Sequence, residues 1–126
     1  MAAPYANRAD CFRQLQRPTD AIDDYERAAG LAAAEPELHW QIQTRMAMLH
    51  NDTGLRLYNH AQPRKAALAF SRAIECNPRV ARFYLNRAEA TMQLSRYELA
   101  RDDLLVSLRF DPANTRARSL LASLCP

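Results

Sequence analysis

The sequence predicts an all-α fold made by stacking copies of one two-helix unit. Glycine is nearly absent: Gly30 and Gly54 are the only two in 126 residues, while the strong helix formers Ala, Leu, Arg and Glu are plentiful. Small and bulky residues recur at steps of 3, 4 and 7, the spacing that places them on one helix face. That pattern itself repeats every 34 residues.

The repeat is read directly from spacing. Starting at Gly54, steps of 12, 4, 3 and 5 residues land on Ala66, Phe70, Ala73 and Pro78. Starting at Ala88, the same steps land on Ala100, Leu104, Ser107 and Pro112. Starting at Ala9, they land on Ala21, Tyr25, Ala28 and Ala33, with Pro36 three residues late. Four residues before each origin stand Tyr5, His50 and Tyr84, and three after stand Phe12, Leu57 and Thr91. The tripeptide Asn-Arg-Ala occurs at 7–9 and again at 86–88, a separation of two periods plus 11 residues.

These positions resemble the tetratricopeptide repeat, whose 34-residue unit carries the same small–Ala–aromatic–Ala–Pro spacing. The resemblance covers repeats at about 2–35, 47–80 and 81–114. It implies a right-handed α-α superhelix, a solenoid of about three helical hairpins with a C-terminal capping helix, as a single domain over 1–126. His50 stands where the family has Trp or Tyr, Thr53 and Arg87 where it often has Leu, and Ser107 where it has Ala. These departures change individual contacts and leave the period intact.

The elements follow in order. In the first repeat Pro18 marks the start of the second helix, because a proline in the first turn gives up an N–H that would be unpaired anyway. Eleven extra residues then separate the first repeat from the second. The stretch from Pro36 to Met46 has no interior Gly or Pro, and Leu38, Ile42, Met46 and Leu49 form one apolar stripe. The first helix of the second repeat is therefore expected to run long, over about 37–60, unless part of the excess lengthens the second helix of the first repeat, since Leu31 to Ala34 also favour helix. Its extra stripe either packs on the first repeat or offers Trp40, Ile42 and Met46 as a docking or dimer surface. Pro63 opens the next helix, and Tyr97 takes the matching place in the third repeat. Pro78 and Pro112, preceded by Asn77 and Asp111, close the second helices. Residues 115–125 supply one more helix, the capping element a solenoid needs, or else the start of a longer array.

Composition limits the function. Net charge is only +3, because Asp and Glu intersperse with sixteen Arg and a single Lys, Lys65. No clustered basic run marks a nucleic-acid surface. Cys11, Cys76 and Cys125 are too far apart for a zinc site and odd in number for a disulfide framework, so buried, reduced thiols are expected. No apolar run approaches the roughly 18 residues of a membrane span. A soluble, cytoplasmic chain is the expectation.

No catalytic motif, cofactor site or metal site is evident. His50 and His60 lie ten apart on one helix, about 280° around it, and face different ways. Asp23-Asp24 and Asp102-Asp103 sit early in second helices, where acids suit the macrodipole, and read as solvated face. The family resemblance implies a groove lined by first helices. Projected onto this chain, it is lined by Asn7, Asp10, Arg13 and Gln14, then by Asn51, Leu55, Tyr58 and Asn59. The third repeat adds Arg82, Leu85, Asn86, Glu89 and Met92, and the last helix Arg116 and Leu120. One subtype of the family carries a carboxylate clamp for chaperone C-termini. Its five places here hold Asn51, Leu55, Asn86, Arg116 and Leu120, where only Asn86 is identical, so no chaperone clamp is expected. The leading expectation is a non-enzymatic scaffold or adaptor binding a peptide or protein segment in that groove. A self-associating structural segment is the alternative, and RNA binding a weaker one.

Overall fold

The structure, a computed structural model, describes residues 1–124; among them the chain is wholly α-helical between turns, without strands. Seven helices follow one another: α1 (Ala3–Gln14), α2 (Pro18–Leu31), α3 (Pro36–Asn59), α4 (Pro63–Cys76), α5 (Ala81–Gln93), α6 (Tyr97–Phe110) and α7 (Thr115–Leu124). Prolines 18, 36 and 63 are each the first residue of a helix. The eleven additional residues fall within α3, at 24 residues the longest of the seven. Cys125, the last residue of the expected closing helix, lies outside the described residues.

Within each hairpin the reversal has one form. Gln16, Ala61 and Ser95 take positive φ of 57°, 59° and 59°. Each sits two residues past a helix end and donates its N–H to the carbonyl three residues back, Arg13, Tyr58 and Met92 respectively. The next residue, Arg17, Gln62 or Arg96, reaches back to Phe12, Leu57 or Thr91 at 2.8–2.9 Å. This is the Schellman ending, which satisfies the last carbonyls of a helix. No glycine occupies any of these left-handed positions. The turns after α4 and α6 are closed by asparagines. Asn77 Oδ1 accepts the Arg79 N–H, and Asn114 Oδ1 accepts the Ala117 N–H to cap α7.

The periodic residues form the core. Ala9, Ala21, Ala66, Ala88 and Ala100 are fully buried, as are Tyr25, Phe70 and Leu104 beside them. Gly54 is also buried, and an added Cβ there would meet the Phe70 ring, with Cδ1 and Cζ only 2.6 and 2.8 Å away. Ser107, in a place where the family has Ala, is completely enclosed yet satisfied: its hydroxyl donates to the Ala81 carbonyl at 3.0 Å. Such a bond offsets the cost of enclosing a hydroxyl.

The helices group into two compact units, Met1–Leu49 and His50 onward, with the boundary inside α3. In the first, α1 packs on α2. Ile42 and Met46 from α3 are buried, while Trp40 stays 45% exposed. The extra stripe is thus mostly core, with Leu38 half-buried and Trp40 at the surface. His39 Nδ1 meets the Ala29 carbonyl at 3.0 Å, tying α3 to α2. In the second unit α5 packs against both α4 and α6, and α6 against α7. Leu85, Ala88, Ala100, Leu104 and Ala117 form one cluster, flanked by Leu120, Leu121 and Leu124 of α7.

Candidate functional site

Some of the residues expected to line the groove in the second unit contact one another, whereas Leu85 is buried in the core. Asn86 on α5 donates its carboxamide N–H to Asn51 Oδ1 on α3 at 2.8 Å. Asn51 is 2% exposed, so it holds Asn86 in place and Asn86 presents the remaining amide groups. One turn further along α5, Glu89 pairs with Arg116 from α7. The Arg116 guanidinium is held even more firmly protonated by that hydrogen bond and the Glu89 charge, with a smaller contribution from Tyr58. Tyr58 in turn lies at 3.5 Å from the Gln93 carboxamide. Leu55 is 38% exposed and Arg82 is exposed. One face of α3, α5 and α7 therefore carries a fixed amide, a phenol, an ion pair and an exposed leucine. Tyr58, Asn59, Ala61, Pro63 and Gln93 outline a hollow of about 400 Å³ at its end.

Asn7 and Arg13 belong to the first unit, where Asn7 is exposed and Arg13 half-buried. Asp10, another expected lining residue, is engaged: it accepts the Tyr25 hydroxyl and an Arg45 guanidinium N–H at 3.3 Å. Burial and that bond to Asp10 push the Tyr25 phenol well above its ordinary range, so it remains a neutral donor.

Two expectations need correction. Asp24 and Asp103 are not solvated: they are 4% and 7% exposed, and only Asp23 and Asp102 face water. Asp24 accepts two bonds from Arg8, at 2.6 and 2.8 Å, and Asp103 two from Arg87, at 2.8 and 2.7 Å. The reason is geometric. Adjacent helical residues diverge by about 100°, so one acid of each pair turns inward toward the first helix. The Arg8 guanidinium holds the Asp24 carboxyl below the usual carboxylate range. Cys11 likewise is exposed and Cys76 half-buried, so the expected burial of the thiols fails for both. Position 11 lies on the outer side of α1, where the periodic pattern demands nothing apolar.

The signal for the two ion pairs was present in the sequence. Arg precedes the origin residue by one and Asp follows it by 15 in the first and third repeats; the middle repeat replaces both, with Thr53 and Ala69. A pair that appears and disappears together is a contact.

Among the described residues no cluster of three or more His, Cys, Asp or Glu is placed to hold a metal ion. Nor, among them, is any helix long and apolar enough to cross a membrane.

A family model described as tetratricopeptide repeat matches residues 51–115. Tetratricopeptide repeat protein 16 of Macaca fascicularis and that of Homo sapiens are each 34% identical to this chain over 122 residues. The match takes in 97% of this chain and 14% of each of those proteins, so the chain spans about a seventh of their length. Among solved structures, the second TPR domain of human RPAP3, in complex with the HSP70 peptide SGPTIEEVD, aligns with a TM-score of 0.57 at 18% identity, covering 100% of this chain and 99% of that one. The matched segment spans half of the chain, and the chain belongs to the tetratricopeptide repeat family.

Proposed function

We propose that this chain is a non-enzymatic binding module that takes a peptide or protein segment on the α3–α5–α7 face. The observation that supports this most directly is the Asn51–Asn86 pair. A carboxamide fixed by a buried partner loses little rotamer freedom when a ligand arrives, and its second N–H and its carbonyl match a peptide backbone. Tyr58 and Leu55 supply apolar contact area beside it, and Arg82 a charge at the rim. Asn7 and Arg13 are assigned to the same role for the first unit. The HSP70 peptide bound by the related RPAP3 domain agrees with a peptide ligand in general.

The reading does not extend to the chaperone clamp. Of its five places two hold leucine, Leu55 and Leu120, and Arg116 is already neutralised by Glu89. Titration with SGPTIEEVD is expected to give no saturable binding at micromolar concentration.

The arginines favour a protein ligand over RNA. Arg8, Arg17, Arg45, Arg87 and Arg116 are each paired with a carboxylate, so these five are already engaged and less available to phosphates. An exposed thiol at Cys11 suits a reducing, cytoplasmic setting.

The test uses a peptide selected on the chain from a displayed random library, followed by calorimetry. Asn86→Ala and Tyr58→Ala are expected to weaken its binding by about tenfold or more each, as for central contacts in other interfaces. Unchanged affinity in both variants would remove this face from the proposal.

A further inference from the structure

The second unit has another concavity, on the side of α5 turned away from Asn86. Arg87, Thr91 and Leu94 lie about 130° around α5 from Asn86, Glu89 and Gln93, at about 100° per residue. Between α4 and α6, above this side of α5, opens a cleft of about 740 Å³. That is the size of a typical ligand pocket. The groups at its floor are already satisfied. Arg87 is held by Asp103 and by Ser71 Oγ at 3.2 Å, Ser71 donates to the Ala67 carbonyl, and Thr91 donates to the Ala88 carbonyl.

The mouth differs. Arg64 and Arg96 line it, are exposed, and make no ion pair or side-chain hydrogen bond among the described residues. Both contrast with Arg8, Arg87 and Arg116, each of which has a carboxylate partner. Leu99, 53% exposed, and Leu94 supply apolar wall, and Asp102 is the one acid at the mouth without a cation. Two unpaired guanidinium groups beside an apolar wall complement carboxylates adjoining leucine-like side chains.

We propose that the α4–α6 cleft is a second binding site, for an acidic peptide segment carrying apolar residues next to its carboxylates. Those carboxylates meet Arg64 and Arg96, the apolar side chains lie on Leu94 and Leu99, and Asp102 excludes a further acid at its own position. The site uses internal side chains of the ligand and needs no free C-terminus. It is separate from the face that holds Asn86.

The probe is the blocked peptide acetyl-Ser-Glu-Glu-Leu-Leu-Ser-Gly-amide, with a Lys-Lys counterpart as control, titrated into the isotope-labelled chain and followed by amide chemical shifts. The acidic peptide is expected to move the amides of Arg64, Leu94, Arg96 and Leu99 and to leave those of Asn86 and Tyr58 in place. Reversing both charges, Arg64→Glu with Arg96→Glu, should weaken it by about tenfold, since two exposed charge contacts are removed and made repulsive. Leu99→Ser, which leaves the charges alone, should weaken it as well. The proposal is overturned by any of four results: no shifts at millimolar peptide, shifts confined to the Asn86 face, equal binding of the lysine peptide, or unchanged affinity in the charge-reversed chain with its helicity intact.

Discussion

At the scale of single residues, the positions that matter most are those where a second helix touches its first. Gly54 is the clearest. Alanine there would gain roughly 1 kcal/mol of helix propensity, yet its Cβ would be forced into a Phe70 ring that is itself 1% exposed. Overpacking costs about 1–3 kcal/mol, so Gly54→Ala is expected to destabilise the chain by up to about 2 kcal/mol in denaturant titration. Adding Phe70→Leu should recover most of the loss, because the third repeat already combines Ala88 with Leu104. The Arg87–Asp103 pair gives a second expectation. Asp103→Ala leaves a half-buried guanidinium without its bidentate partner and should cost about 2–3 kcal/mol. The double change Arg87→Thr with Asp103→Ala copies Thr53 and Ala69 of the middle repeat and should cost less than the single one. A double-mutant cycle in urea reads the coupling directly.

At the scale of elements, the repeated unit is defined as much by its turn as by its helices. Gln16, Ala61 and Ser95 occupy the left-handed region, 45 and 34 residues apart, the same intervals that separate the repeat origins. Left-handed φ costs an L-residue about 1–2 kcal/mol, and glycine removes that cost while adding some entropy to the unfolded chain. Ala61→Gly is therefore expected to raise stability by about 0.5–1 kcal/mol, seen as a higher urea midpoint at unchanged slope. The prolines that open α2, α3 and α4 made those helix starts legible, as Gln, Ala and Ser could not make the preceding turns legible. The added length of α3 was also readable, from an unbroken run without Gly or Pro. Which of its side chains would be covered was not: Ile42 and Met46 are buried and Trp40 is exposed, although all three lie in the same eleven-residue excess.

For the molecule as a whole, stability depends on pH through groups whose protonation differs between the folded and unfolded states. His50 is buried beside Arg72, and both effects lower its pKa, burial more strongly, against a smaller opposing pull from Glu75. Below the ordinary value of 6.5 the unfolded chain binds a proton that the folded chain refuses. Stability should thus be level above that pH and fall as pH drops beneath it, with a slope of at most about 1.4 kcal/mol per unit. His50→Phe, which keeps a ring and loses the titration, should flatten that limb in equilibrium unfolding measured between pH 5 and 8. Asp24 acts in a lower window. Its folded pKa is depressed by Arg8, so its contribution is complete above the ordinary 3.8 and disappears as pH falls through the folded value. The two limbs are separable because Asp24→Asn alters only the acid one.

The sequence by itself determined the period, the fold class, the extra turns of α3 and the buried small residues, because close helix packing accepts only a few side-chain sizes at fixed intervals. It also brought Asn51, Asn86, Tyr58, Glu89 and Arg116 into one list of groove residues, since one period moves a side chain to the same face of the next hairpin. Only tertiary structure decided that Asn51 is buried while Asn86 is partly exposed, and that Arg64 and Arg96 flank a cleft without partners. Those outcomes depend on how side chains from different helices share space and solvent, and no spacing along the chain encodes that distance.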